Sequence, residues 1–179
     1  VDLAVESYGG LDGAFNNAGM MGDMSPVGEM SVETWNAVVG TNLTSGFYAA
    51  KAQVPEIEKR GGGSILFTSS FVGHSNGGMP GMGAYAAAKA GLIGLAQSLA
   101  ADHGANGVRV NTLLPGGTLT AMAGDDAEAH AFISGLHALK RMAQPTEIAQ
   151  VALFLLSDRA GFVTGSPVLA DGGVSVRLV

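Results

Sequence analysis

Four short apolar runs punctuate the chain: LDGAF at 11–15, SILFTSS at 64–70, VRVNTLL at 108–114 and PVLA at 167–170. Each has strand length and is bounded by Gly, Pro, Asn or Asp. The longer stretches between them carry apolar positions at helical spacing. A helix opens the chain and stops at Gly9-Gly10. A second is expected over 31–60, with Ser31 as its cap and Gly61-Gly62-Gly63 as its stop. A third spans about 84–103, after a glycine-rich loop at 73–83, and a fourth starts at Pro145 and runs to about 157. Residues 118–143 carry little core pattern and read as irregular or weakly helical.

Strands that alternate with helices imply βα repeats and a parallel sheet covered on both faces. The expected fold is therefore a doubly wound α/β sheet of Rossmann type, in a single domain over 1–179. In such sheets the functional crevice lies at the carboxyl ends of the strands. NNAG (16–19), Ser69-Ser70 and PGGTLT (115–120) all fall there. Three polar, glycine-containing strand exits on one edge are hard to explain by packing alone.

Composition narrows the choice of function. Hydrophobic residues make up 47% of the chain and charged residues 13%, which favours deep burial, oligomerisation, or both. The net charge is −6 with no basic cluster, so nucleic-acid binding is not expected. There is no cysteine, which removes disulfides, thiolate metal sites and a cysteine nucleophile, and fits a reducing compartment such as the cytoplasm. The longest run without charge, 61–88, is broken by glycines and Pro80, so no membrane span is expected. The chain opens on Val1 inside what reads as a helix, as a piece cut from something longer would.

Tyr85 and Lys89 are four apart and share one helix face. A free tyrosine titrates near about 10, and a neighbouring ammonium favours the phenolate. Such a pair suits proton transfer, but a packed ring beside a snorkelling lysine has the same spacing. Ser70, at a strand exit 15 residues before Tyr85, delivers a hydroxyl to the same crevice. Asn42 in TNLTSGF sits in an apolar helical stretch and needs buried partners. A satisfied core amide and a chance glycosylation sequon are its other readings. Met20, Met21, Met24, Met79 and Met82 are either the wall of an apolar substrate pocket or loop filler. His130 and His137 lack further metal ligands, so no metal site is expected and they are read as surface or pocket histidines. Trp35 is read as a helix packing residue.

Taken in order, NNAG, Asn42 in TNL, Ser70 in TSSFVG, Tyr85-Ala-Ala-Ala-Lys89, RVNTLLPGG (109–117) and VTG…DGG (163–173) resemble the short-chain dehydrogenase/reductase family over essentially the whole chain. The resemblance implies a catalytic tetrad of Asn42, Ser70, Tyr85 and Lys89. Tyr85 would exchange a proton with the substrate oxygen and Ser70 would hydrogen-bond that oxygen. Lys89 would bind the nicotinamide ribose and lower the Tyr85 pKa, and Asn42 would hold a water of the proton relay. Asn17, Ala18 and Gly19 would line the adenosine side of an NAD or NADP cofactor. Pro115, Gly116, Thr118 and Thr120 would contact its nicotinamide end.

The implied activity is NAD(P)-dependent interconversion of a secondary alcohol and a ketone, without metal. A 3-oxoacyl-reductase-like role and a small-alcohol, sugar or steroid dehydrogenase are the candidates. A homotetramer or dimer joined through the helices at 31–60 and 84–103 is also implied, and residues 120–142 would form a lid over substrate. The family's pyrophosphate turn, T-G-x-x-x-G-x-G, is not found. Gly77, Gly81 and Gly83 copy its glycine spacing, but they trail Ser70 and enclose Pro80, so a substrate-side loop is the better reading. Without the family's first strands, 11–15 would be an exposed sheet edge, and roughly 70 further N-terminal residues are expected. The competing reading is an inactive fragment that acts only as a binding or assembly partner.

Overall fold

The computed structural model describes residues 1–75 and 79–176. Four strands, β1 (Gly13–Asn16), β2 (Gly63–Thr68), β3 (Val108–Pro115) and β4 (Pro167–Ala170), pair in chain order, and every pairing is parallel. Helix α1 (Asp2–Tyr8) precedes β1, and the helices between the strands are α2 (Val32–Val39), α3 (Ser45–Lys59), α4 (Gly83–His103), α5 (Ala127–Leu136) and α6 (Pro145–Leu156). Parallel neighbours need crossover connections, and these helices supply them. The arrangement is the doubly wound, Rossmann-type sheet that the alternating runs predict.

The core lies on both faces of the sheet. Ile65, Phe67, Val108 and Val110 pack against α3 and α4 through Val54, Ile57, Leu92 and Ala96. On the other face Leu66 and Leu113 pack against Ala152 and Leu155 of α6. β2 and β3 are buried on both faces, so they read as continuous apolar runs rather than alternating ones. β1 is one edge of the sheet, and its Phe15 is 45% exposed. Between α3 and β2 the chain passes so close to its neighbour that a Cβ on Gly62 (φ 123°) would lie 2.6 Å from the Gly107 carbonyl oxygen. At the carboxyl end of α6, the Arg109 guanidinium donates to the carbonyls of Leu155 (2.9 Å) and Ser157 (3.0 Å), where helix-end acceptors lack partners.

Two expectations need correction. The single helix over 31–60 is in fact two helices, α2 and α3, separated by a π-helical turn at Gly40–Thr44. Asn42 explains the break. Its Nδ2 donates to the Val38 carbonyl four residues back (2.8 Å), the acceptor its own backbone N–H would take in an α-helix. The stretch 118–143 is more ordered than its weak pattern suggests. It holds α5, ten residues long, capped by Asp126 Oδ1, which accepts from the Glu128 amide at 2.9 Å.

Candidate active site

Parallel pairing brings the ends of β1, β2 and β3 to one edge of the sheet, and α4 starts beside them. A cavity of about 640 Å³ opens there. Every residue expected at the site except Asn42 lines it: Ser70, Tyr85 and Lys89, Asn17, Ala18 and Gly19, and Pro115, Gly116, Thr118 and Thr120.

Tyr85 and Lys89 project from the first two turns of α4. Lys89 is 2% exposed, and its Nζ lies 5.5 Å from the Tyr85 ring centroid and donates to the Thr68 carbonyl at 2.8 Å. Among the described residues no carboxylate pairs with it, and burial lowers its pKa from 10.5 to about 8. Burial pushes the Tyr85 phenol above its usual 10, while a hydrogen bond with the Ser70 side chain pulls the other way. The free protein therefore holds Tyr85 as a neutral phenol, and the depression expected from the neighbouring ammonium does not prevail.

The two adjacent serines separate clearly. Ser69 Oγ donates to the Lys89 carbonyl at 2.7 Å and is thereby spent on α4. Ser70 Oγ faces Tyr85 and accepts from the Val72 amide at 3.3 Å. The geometry thus places the Ser70 hydroxyl, not that of Ser69, beside the phenol.

Asn42 stands behind the wall. It is 2% exposed, its Oδ1 accepts from the Met20 amide (3.2 Å), and its Nδ2 donates to the Met20 (2.7 Å) and Val38 carbonyls. Both amide protons are used, so its side chain pins the loop after β1. Gly19 occupies the gap between it and Lys89. A Cβ there would come within 2.7 Å of Asn42 Oδ1 and 3.1 Å of Lys89 Nζ.

Further side chains shape the site. Thr68 donates from Oγ1 to Asn17 Oδ1 (2.8 Å), fixing that side chain at the β1 exit. Asn16 and Gln53 exchange hydrogen bonds of 3.0 and 2.8 Å beneath it. Phe71, Val72, Met122, Ile133, Leu136 and Met142 give the cavity an apolar wall. Met122, Ile133, Leu136 and Met142 lie in the stretch 120–142 expected over substrate, whereas nothing but apolarity marks Phe71 and Val72 in the sequence. His137 is 2% exposed, lines the cavity, and hydrogen-bonds through both ring nitrogens.

Of the methionines, Met21, Met79 and Met82 line the cavity, while Met24 is 59% exposed. Trp35, expected in helix packing, is 39% exposed. His130 Nε2 donates to the Gly124 carbonyl at 3.0 Å. Gly77 of the glycine spacing lies outside the described residues. A Cβ on Gly81 (φ 76°) would come within 3.0 Å of the Met24 backbone, and one on Gly83 within 2.6 Å of Val27 Cγ2, so close packing accounts for both without a phosphate. Among the described residues no cluster of three or more His, Asp or Glu side chains is placed to hold a metal, and no helix is long and apolar enough to cross a membrane.

The nicotinamide dinucleotide that the motifs imply needs hydrogen-bond donors for its ribose and unobstructed strand exits for its ring. Lys89 has one hydrogen-bond acceptor among the described residues, so two ammonium protons remain for ribose hydroxyls. Gly19 and Gly116 keep the walls free of side chains at the strand exits, and a Cβ on Gly116 would meet His137 Nε2 at 2.7 Å. The residues present fit the nicotinamide–ribose portion.

The chain matches, over residues 1–175, a family model described as enoyl-(acyl carrier protein) reductase. It is 41% identical over 177 residues to a cyclohexanol dehydrogenase of an Acinetobacter species, covering 99% of this chain and 69% of that protein. It is also 41% identical over 178 residues to a 2,5-dichloro-2,5-cyclohexadiene-1,4-diol dehydrogenase of Sphingobium indicum, covering 97% and 70%. Among solved structures it resembles levodione reductase with a TM-score of 0.93 at 31% identity, covering 99% of this chain and 71% of that one.

Proposed function

The chain belongs to the short-chain dehydrogenase/reductase family of oxidoreductases, and we propose that it interconverts a small, uncharged cyclic secondary alcohol and its ketone with NAD or NADP. The observation that carries this reading is the convergence of Tyr85, Ser70 and Lys89 at one end of an apolar cavity. Thioether, aliphatic and phenyl groups form most of that wall, and Lys89 is its one ammonium or guanidinium among the described residues. An anionic substrate would find no second cation there, whereas an alicyclic ring would bury its whole surface. The relatives that act on ring alcohols, as their names state, support the same class.

In the reductive direction, the neutral Tyr85 phenol donates its proton to the carbonyl oxygen as that oxygen gains charge. Ser70 Oγ–H donates to the same oxygen and orients it. In the oxidative direction, Tyr85 as phenolate takes the hydroxyl proton. Lys89, in its charged form, would favour that phenolate. The bound nicotinamide supplies or accepts the hydride. Lys89 and the strand exits at Asn17–Gly19 and Pro115–Thr120 would hold it. Asn42 acts by fixing the Met20 backbone, and any water of a proton relay would meet its backbone or the unused Oδ1 lone pair rather than its Nδ2.

A homo-oligomer, dimer or tetramer, assembled through α3 and α4 belongs to this proposal. Phe47 and Tyr48, 48% and 64% exposed, offer apolar surface on α3 for such a contact, and light scattering would measure it. The test of function uses the full-length protein. NADH and NADPH are titrated by fluorescence, and cyclohexanol oxidation is compared with reduction of a 3-oxoacyl thioester. Binding of one coenzyme and turnover of the ring alcohol that is lost in Tyr85→Phe are expected. Nucleotide binding without any alcohol turnover would overturn the enzyme reading, and preference for the thioester would overturn the substrate class.

A further inference from the structure

The His137 ring joins two parts of the cavity wall that are far apart in sequence. Its Nε2 lies 3.0 Å from the Gly117 backbone N–H. Its Nδ1 lies 2.7 Å from the Ile133 carbonyl, in the last turn of α5. A backbone N–H only donates and a carbonyl only accepts, so the two bonds together demand one state: neutral imidazole with the proton on Nδ1. The ring is also sterically enclosed. A Cβ on Gly117 would come within 3.0 Å of its Cε1, and one on Gly172 within 3.1 Å of its Cδ2.

We propose that His137 is a positioning residue, which in this single state ties α5, the cover of the substrate cavity, to the Pro115–Thr118 exit of β3 that receives the nicotinamide end. The inference rests on the cofactor reading given above. Gly116 and Gly117 bear no side chains, so they have no rotamers of their own to hold the exit in place. The local bonds there are Gly116 N–H to the Ala170 carbonyl (3.2 Å), Thr118 Oγ1 to the Gly116 carbonyl (3.0 Å) and Ala143 N–H to the Gly117 carbonyl (2.9 Å). The Gly117 N–H is held by His137. On its other side the ring caps α5, taking a carbonyl that the helix end leaves without a backbone donor. Closing α5 over substrate and shaping the cofactor exit thus share one side chain.

A protonated ring carries N–H on both nitrogens, and Nε2–H would then confront the Gly117 N–H. The tie therefore requires the neutral ring and cannot survive its protonation. The charged groups around the ring are accounted for. Asp171 is engaged with the Gly173 and Ser175 amides and the Ser175 hydroxyl. Arg141 and Glu147 form a two-pronged ion pair at 2.7 Å, and Lys140 Nζ donates to the Gly135 carbonyl.

The test compares His137→Gln, which keeps an acceptor for Gly117, with His137→Asn, which keeps only the donor for Ile133, and His137→Leu, which keeps neither. The first readout needs no turnover: hydrogen exchange of the Gly117 amide in the cofactor-free full-length protein, followed from pH 7.5 to 5. Protection is expected in wild type at pH 7.5, lost on acidification, retained at both pH values in His137→Gln, and absent in the other two. The second readout is coenzyme KM against kcat. His137→Asn and His137→Leu should raise KM about tenfold, as one lost buried hydrogen bond does, with kcat changed less, while His137→Gln restores it. Equal protection and equal KM in all forms would overturn the proposal. So would a folded His137→Gln that matches His137→Leu, because ring volume would then be what matters. If His137→Leu does not fold, the Gln form and the pH series still decide. Wild type that binds neither coenzyme would defeat the functional reading, and the exchange measurement would still decide the tie.

Discussion

Replacing Lys89 by methionine should make the cofactor-free protein more stable at neutral pH while removing its activity. The Lys89 ammonium is 2% exposed and has no carboxylate partner among the described residues. Its pKa falls from 10.5 to about 8 because burial penalises the charged form. At about 1.4 kcal/mol for each tenfold change in the proton equilibrium, that fall corresponds to about 3 kcal/mol of destabilisation whenever the lysine is charged. Methionine keeps most of the stem's volume and none of the charge. It also leaves the Thr68 carbonyl without its donor, a loss of about 1 kcal/mol. The net expectation at pH 7 is a variant more stable by about 2 kcal/mol.

The sign reverses with pH. Between pH 8 and 10.5 the unfolded chain keeps the Lys89 proton and the folded chain releases it, so wild-type stability rises with pH across that window. Above it the lysine is neutral in both states, and the variant, short of one hydrogen bond, should be the less stable by about 1 kcal/mol. Tyr85 works in the opposite sense. Its raised pKa contributes stability that is present below 10 and lost as pH climbs above it, but it is common to both proteins and drops out of the difference to first order. Urea unfolding at steps from pH 6.5 to 10.5 measures the difference directly. A variant less stable than wild type at pH 7, or a difference that does not vary with pH, would refute the burial of an uncompensated cation. Added coenzyme should stabilise wild type and not the variant, since the ribose contact is gone.

Tyr85→Phe should lower turnover by about three orders of magnitude, the scale of a lost general acid–base, with coenzyme affinity within about threefold; stopped-flow kinetics and fluorescence titration check both halves. Asn42→Ala should cost about 2 to 4 kcal/mol, because the Met20 and Val38 backbone groups lose buried partners. Chemical denaturation reads that cost, and an unchanged midpoint would refute it. Gly19→Ala should raise coenzyme Kd at least about tenfold while leaving the fold intact, since the added methyl would press on Asn42 Oδ1 and Lys89 Nζ rather than on the core. Circular dichroism with nucleotide titration separates those two effects.

Much of the architecture was legible in local pattern. Strands of four to eight apolar residues set off by Gly and Pro, alternating with helical periodicity, are enough to imply a parallel sheet covered on both faces. The parallel sheet in turn gathers NNAG, Ser70 and PGGTLT at one edge, so Tyr85 and Lys89 could be placed beside them before any coordinates. What local pattern did not carry was every property that depends on partners distant in the chain. The break at Gly40–Thr44 leaves no local mark, because Gly, Thr and Asn do not individually forbid a helix. It exists because Asn42 reaches both Val38 and the loop at Met20, 22 residues away. Helix α5 is weak in pattern because none of its residues is fully buried: its Phe132 is exposed, and its Ile133 and Leu136 face the cavity.

The same division runs through the candidate site. Residue types, and their order along the chain, are properties of the sequence. The balance of burial and charge at Tyr85 and Lys89, and the demand for one tautomer at His137, are decided by tertiary structure alone. Desolvation and hydrogen-bond direction are set by the whole surrounding shell, and no window of sequence contains that shell.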